Sequence, residues 1–265
     1  MPFDYLNVSI LENDIAVDNK KLNIDVVSEH LKGLPNYTDL VVLPELFSTG
    51  FVASKEASNI LSERNTEDTI DILKEKSKNF NCAICGSFLA HTAGRMYNRA
   101  FFLEPSGDET FYDKVHLFTM GGEKDIISGG KCSAPIIRYR GWNIKPIICY
   151  DLRFPVFCRN TQNQYDVLIV VANWPKVRQS AWEKLLMARA IENSCYVIGV
   201  NRRGIGCDNI DYGCGSSIIV DYTGEIISSA TESSMVASAT LSRTKLVKFR
   251  EKFPVWKDAD SFELK

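Results

Sequence analysis

Short apolar runs alternate with longer amphipathic stretches from one end of the chain to the other. Tyr5-Leu6-Asn7-Val8-Ser9-Ile10 has its apolar residues at every second position, which predicts a first strand. Leu22, Val26, Val27 and Leu31 recur at helical spacing behind Asp18, a residue type that caps helix N-termini. Residues 40–43 form a wholly apolar run of strand length. A second helix is expected from Thr66, with Glu67 and Asp68 in its first turn, running through Ile70, Leu73 and Phe80. Strands follow at 82–88, 100–103 and 110–112, the last two joined as a hairpin around Pro105-Ser106-Gly107-Asp108. Buried strands are predicted at 144–149 and 167–171, then a helix over 178–193 with Trp182, Leu185, Leu186 and Ile191 inward. Strands at 197–200, 216–220, 225–228 and 236–241 complete the pattern.

No Ser/Gly-rich or charge-rich linker and no internal repeat interrupts this interleaving. The pattern predicts an α/β protein forming one domain over residues 1–265, with helices on the sheet faces. A chain of 265 residues with 45% hydrophobic content can bury a substantial core. The formal net charge of -2 leaves no basic surplus for nucleic acid or an anionic membrane. No run approaches the roughly 20 apolar residues that span a bilayer. Met1-Pro2-Phe3-Asp4-Tyr5 lacks the basic start and apolar stretch of a signal peptide. A cytoplasmic protein without nucleic-acid or membrane partners is expected.

The 8 cysteines are scattered, and Cys82, Cys85 and Cys195 lie in apolar runs, where a thiol behaves as a small hydrophobe. Without a secretory signal, reduced thiols are expected rather than disulfides. Cys82 and Cys85 have the spacing of a metal or redox pair. No second Cys or His pair completes a zinc set, so both read as core filler and no metal is expected.

Three apolar segments end abruptly in one ionisable group. Leu40-Val41-Val42-Leu43-Pro44-Glu45 ends in a carboxylate, Phe111-Tyr112-Asp113-Lys114 in an amine, and Pro146-Ile147-Ile148-Cys149 in a thiol. A buried strand that stops at a thiol is one way to mount a nucleophile at a turn. Taken singly, each has a plainer reading: an inert core Cys, a solvated turn Glu, a Lys laid along an aromatic. Together they are sufficient parts for amide hydrolysis through a thioester.

Pro44-Glu45, Asp113-Lys114-Val115-His116-Leu117-Phe118 and Cys149-Tyr150-Asp151-Leu152-Arg153-Phe154-Pro155 resemble the Glu, Lys and Cys motifs of the nitrilase superfamily of carbon–nitrogen hydrolases, in the family's order. Ala172-Asn173-Trp174-Pro175, Ala188-Arg189-Ala190-Ile191-Glu192-Asn193 and Arg250-Glu251-Lys252-Phe253-Pro254-Val255-Trp256 extend the resemblance along nearly the whole chain, closest to the omega-amidase branch. The resemblance implies a four-layer α-β-β-α sandwich and a homodimer built on helices after the cysteine and lysine motifs. It implies Glu45 as general base, Lys114 as oxyanion support and Cys149 as nucleophile, with no cofactor.

The backbone N–H of Tyr150 is a second candidate to hold the oxyanion. Lys114 and the N–H groups of the turn are expected to lower the Cys149 thiol pKa. By resemblance, Glu123 orients Lys114 and the substrate; its plainer reading is an exposed loop charge beside Lys124 and Asp125. Arg153 fits a grip on a substrate carboxylate, as in omega-amidases, or a structural pair with Asp151. Trp174 fits a pocket wall or ordinary core, and His116 packing rather than catalysis. Arg189, three residues before Glu192 on a helix, reads as half of a buried structural ion pair.

The expected function is a thiol amidase acting on the terminal amide of a short omega-amido dicarboxylate such as alpha-ketoglutaramate or alpha-ketosuccinamate. Rival readings keep the same triad for a carbamoyl-amine or a deaminated thiol peptide, or make the chain a non-catalytic scaffold.

Overall fold

The computed structural model describes residues 4–262 apart from 18, 53, 66, 132, 207 and 208. Along the chain these form β1 (Tyr5–Leu11), α1 (Lys20–Lys32), β2 (Leu40–Val42), α2 (Lys55–Leu61), α3 (Asp68–Phe80), β3 (Ala83–Thr92), β4 (Arg95–Leu103) and β5 (Glu109–Asp113). The single-turn α4 (Glu123–Ile126) precedes β6 (Ile137–Tyr139) and β7 (Trp142–Ile148). Then come α5 (Pro155–Cys158), β8 (Val167–Ala172), α6 (Gln179–Asn193), β9 (Tyr196–Asn201), β10 (Gly204–Ile205) and β11 (Asp211–Gly213). The last elements are β12 (Ile218–Val220), β13 (Ile226–Ser229), β14 (Val236–Ser242) and α7 (Arg243–Lys252).

Two six-stranded sheets carry the fold, ordered β14-β1-β2-β3-β4-β5 and β13-β12-β9-β8-β7-β6. Each has a parallel centre, β1-β2-β3 in one and β7-β8-β9 in the other, flanked by antiparallel strands. Period-two alternation explains the layering. Val42 and Cys85 join the core shared by both sheets, whereas their neighbours Val41 and Ile84 pack outward with Ile24, Val27 and Leu31 of α1 and Ile70 and Leu73 of α3. Phe102 meets Tyr139 edge-on at 5.5 Å between the sheets. On the far side α6 lies against β9 through Trp182 and Leu186, and Gly199 makes that approach possible: a Cβ there would sit 2.3 Å from Leu186. The result is the expected four-layer α-β-β-α sandwich.

Details differ from the sequence pattern. The helix starts expected at Asp18 and Thr66 lie outside the described residues; Asn19, whose side chain accepts from the Leu22 N–H at 3.0 Å, is the cap of α1. Leu22 is 47% exposed rather than inward. The polar Asn23 takes the inward place instead, because its amide donates to the carbonyls of Ala16 and Ser48 and accepts from the Ala16 N–H. Ile191 also points outward, at 55% exposed, while Arg189 and Asn193 turn in. Phe80 ends α3 partly exposed. The helices α2 and α7 and the short β10–β11 ribbon carry no strong periodicity and were not expected.

Cys82 and Cys85 fall in different clusters, on opposite sides of their sheet. Three positions apart in extended chain they face opposite ways, so they cannot close on one ion. The 6 described cysteines are free thiols.

Candidate active site

Parallel strands leave their C-terminal ends open for ligands. Here β2 delivers Pro44-Glu45, β7 delivers Cys149 and β8 delivers Asn173 and Trp174 to the same end, while Lys114 follows β5. Glu45, Lys114, Glu123, Cys149, Tyr150, Arg153, Asn173 and Trp174 all line one cavity of about 200 Å3.

Glu45 is almost fully buried, and three donors hold its carboxylate, two on one oxygen and one on the other. Oε1 accepts from Lys114 Nζ at 2.9 Å and Asn98 Nδ2 at 2.7 Å; Oε2 accepts from the Asn173 N–H at 2.6 Å. Its backbone is pinned to β3, where the Leu46 N–H donates to Ser87 Oγ at 2.8 Å. Lys114 Nζ also donates to both carboxylate oxygens of Glu123 at 2.9 Å. Glu123 is therefore not the exposed loop charge of its plainer reading; it is 2% exposed, and the Phe118 N–H binds it from the other side at 2.6 Å. Burial alone would favour a neutral Lys114 amine, but Glu45 and Glu123 outweigh it and hold its pKa well above the usual lysine range.

Cys149 stands at the first position of a 3-10 turn, residues 149–153, with a left-handed φ of 44°. A non-glycine residue in that region is strained and persists only where its surroundings hold it. The holding group is Asp151, fully buried two residues further along the turn. It accepts from the Ile148 N–H at 3.1 Å, Tyr112 Oη at 2.9 Å and the His116 N–H at 3.0 Å, and it pairs with His116 Nδ1 at 2.8 Å. Arg189 fastens the same turn from α6, donating to the Leu152 carbonyl at 2.6 Å and pairing with Glu192 at 3.0 Å. His116 otherwise packs flat on Phe154, with ring centroids 3.8 Å apart.

The expected lowering of the Cys149 pKa is overturned. Burial and the Glu45 charge push the thiol well above its ordinary value, and Lys114 only partly opposes them. The ammonium still favours the thiolate, but with two carboxylates beside it its pull is outweighed. Burial and the neighbouring charge thus favour the protonated thiol at rest.

Arg153 does not pair with Asp151, whose oxygens are taken by Tyr112, His116 and Ile148. Its guanidinium instead lies 4.8 Å from the Trp174 ring centroid on the cavity wall. Trp174 is both wall and core: it packs on Trp182 at 5.4 Å, and its indole N–H donates to the Arg178 carbonyl at 2.9 Å. The Tyr150 ring meets Phe118 and Phe154, each at 5.2 Å, and its N–H belongs to the first turn of the 3-10 segment, where backbone donors have no partner within the turn. Asn98 and Arg178 are additions to the site made by the structure, and Asn173 and Asp151 stand in the quoted motifs without a site role. Asn98 lies mid-strand with no local signal, and Asp151 was seen only as a partner for Arg153.

A carbon–nitrogen hydrolase family profile matches residues 16–251. Omega-amidase YafV of Escherichia coli K12 is 38% identical over 260 residues, covering 98% of this chain and 98% of its own. Omega-amidase YafV of Yersinia enterocolitica is 43% identical over 227 residues, covering 85% of this chain and 86% of its own. The crystal structure of a CN-hydrolase superfamily protein from Xanthomonas campestris superposes with a TM-score of 0.94 at 35% identity, covering 99% of this chain and 100% of that one.

Proposed function

Because the chain belongs to the carbon–nitrogen hydrolase family, we propose that it is a thiol amidase that hydrolyses the terminal amide of short omega-amido dicarboxylates. Alpha-ketoglutaramate and alpha-ketosuccinamate are the substrates the reading favours. The observation that carries it is Lys114, clamped between Glu45 and Glu123 on the wall of the cavity that Cys149 enters. The names of the Escherichia coli and Yersinia relatives, and of a 2-oxoglutaramate amidase of Bacillus subtilis at 29% identity, support the substrate class.

The neutral thiol needs a base at the moment of attack, and Glu45 takes its proton as Sγ bonds to the amide carbon. Charge then gathers on the carbonyl oxygen, where the Lys114 ammonium and the Tyr150 N–H stabilise it; one such donor typically contributes about 10²–10³-fold. Glu45 returns the proton to the departing nitrogen, the C–N bond breaks, and ammonia leaves an acyl thioester on Cys149. Water attacks that thioester with Glu45 again as base, and the carboxylate product and free thiol follow. Glu123 acts through Lys114, holding the ammonium charged and aimed. Arg153 and Trp174 form the distal wall, with Arg153 binding the substrate's far carboxylate.

The same reading has the protein working as a cytoplasmic homodimer. No helix among the described residues is long and apolar enough to cross a membrane.

Ammonia release from a panel of amides tests the proposal. The anionic omega-amides are expected to lead, with an acyl adduct on Cys149 seen by mass spectrometry during turnover. Preference for a carbamoyl-amine or a deaminated thiol peptide would keep the chemistry and replace the substrate. No turnover of any amide would leave a scaffold.

A further inference from the structure

Arg178 lines the same cavity as Arg153, and the chemistry described so far leaves it without a task. It is the last residue of the 3-10 turn (residues 176–178) that follows Trp174-Pro175, and the N-cap of α6. Its backbone is fixed on both sides: its N–H donates to the Pro175 carbonyl and its carbonyl accepts the Trp174 indole N–H, each at 2.9 Å. Its guanidinium lies 5.3 Å from the Phe118 ring centroid, as that of Arg153 lies over Trp174. Among the described residues neither guanidinium has a carboxylate partner.

The cavity is therefore polarised. At its inner end the single ammonium of Lys114 faces two carboxylates, so negative charge is in excess there. Both unneutralised guanidiniums line the same cavity and belong to its more exposed residues, where Glu45, Lys114 and Glu123 are buried. An amide with a distal carboxylate is drawn in with the neutral amide toward Cys149 and the anion toward the arginines; the reverse orientation sets carboxylate against carboxylate. Aromatic faces under both guanidiniums keep their N–H forks directed without neutralising them.

We infer that Arg178 is a specificity-determining residue: with Arg153 it receives the distal carboxylate and sets the direction in which an anionic amide enters. This rests on the amidase reading above. It extends the carboxylate site beyond the Cys149 turn to the residue that opens α6. A substrate carrying an ammonium next to that carboxylate meets a pair of guanidiniums and no anion, and is disfavoured.

The test measures kcat and KM of wild type, Arg178→Gln and Arg178→Lys on succinamate and on its uncharged methyl ester, at low and high salt. Arg178 is exposed, so the expected fall in the ratio of kcat/KM, anionic over neutral, is about threefold to tenfold in Arg178→Gln. The fall should lie in KM, and salt should weaken anionic-amide KM less in that variant than in wild type. Arg178→Lys, which keeps the charge, should recover part of the preference. If wild type prefers the anionic amide and Arg178→Gln keeps that preference whole, the inference fails and the omega-amide reading stands. If wild type prefers the neutral amide, both fail. An equal loss on both substrates in both variants would make Arg178 a structural residue and overturn the inference.

Discussion

The Tyr112 hydroxyl donates to the Asp151 carboxylate at 2.9 Å, and that bond ties the strand that leads into Lys114 to the turn bearing Cys149. Tyr112 belongs to one sheet and Asp151 follows the other, so the bond spans the interface between them. Burial, with the Asp151 charge beside it, pushes the Tyr112 phenol far above its usual range and keeps it a donor. Tyr112→Phe should cost about 1 kcal/mol of stability. Asp151→Ala strands several buried donors and should cost roughly 2–4 kcal/mol. Denaturant unfolding measures both, and kcat should fall with Asp151→Ala as the strained Cys149 turn relaxes. Equal stability of the two variants would remove Asp151 from this role.

Cys149→Ala should abolish ammonia release while leaving the unfolding midpoint close to wild type, since it removes one sulfur atom that already borders the cavity. Cys82→Ala and Cys85→Ala should retain turnover, and exhaustive chelation should not reduce it. Loss on chelation with rescue by zinc would require a metal site the paired cysteines cannot supply.

Under the proposed mechanism one carboxylate serves both half-reactions, so Glu45→Gln should slow both the appearance and the hydrolysis of the acyl-enzyme. It should also shift the pH profile of Cys149 alkylation to lower pH. The Glu45 charge is a main reason the thiol is held neutral, so removing it favours the thiolate while Lys114 remains. A profile unchanged by the substitution would mean that Glu45 does not govern the thiol.

Arg153→Lys should lower the ratio of kcat/KM for alpha-ketoglutaramate over an uncharged analogue roughly 10-fold or more, chiefly through KM, because lysine lacks the two-pronged geometry. A proportionate loss on both substrates would assign Arg153 to structure.

Alkali should destabilise the fold through its buried thiols. Burial pushes Cys85 up to about 12 and Cys82 up to about 11, against an ordinary value near 9. Between those values the unfolded chain has lost protons that the folded one keeps, so stability falls as pH rises above about 9. Cys85→Ala should flatten that slope by up to about 1.4 kcal/mol per pH unit. Urea midpoints measured across this range check it; parallel slopes in wild type and variant would contradict it.

Much was decided by the linear chain itself. Period-two and period-3.6 patterns located most strands and the long helices, because burying one face of each element is a local demand on residue order. The three runs ending in Glu45, Lys114 and Cys149 marked the candidate site for the same reason: a polar group closing an apolar strand is visible without neighbours. Side-chain facing was less legible. Leu22 and Ile191 turned outward because Asn23 and Arg189 had distant carbonyls to bind, and a hydrogen bond to a remote backbone leaves no trace in local periodicity. Only the tertiary structure decided the electrostatics. Whether the Lys114 charge prevails at the thiol or is outweighed by Glu45 and Glu123 depends on two carboxylates from distant segments arriving within 3 Å of its nitrogen. It likewise took Arg153 away from Asp151, because Tyr112 and His116, some 40 residues earlier in the chain, had already filled that carboxylate.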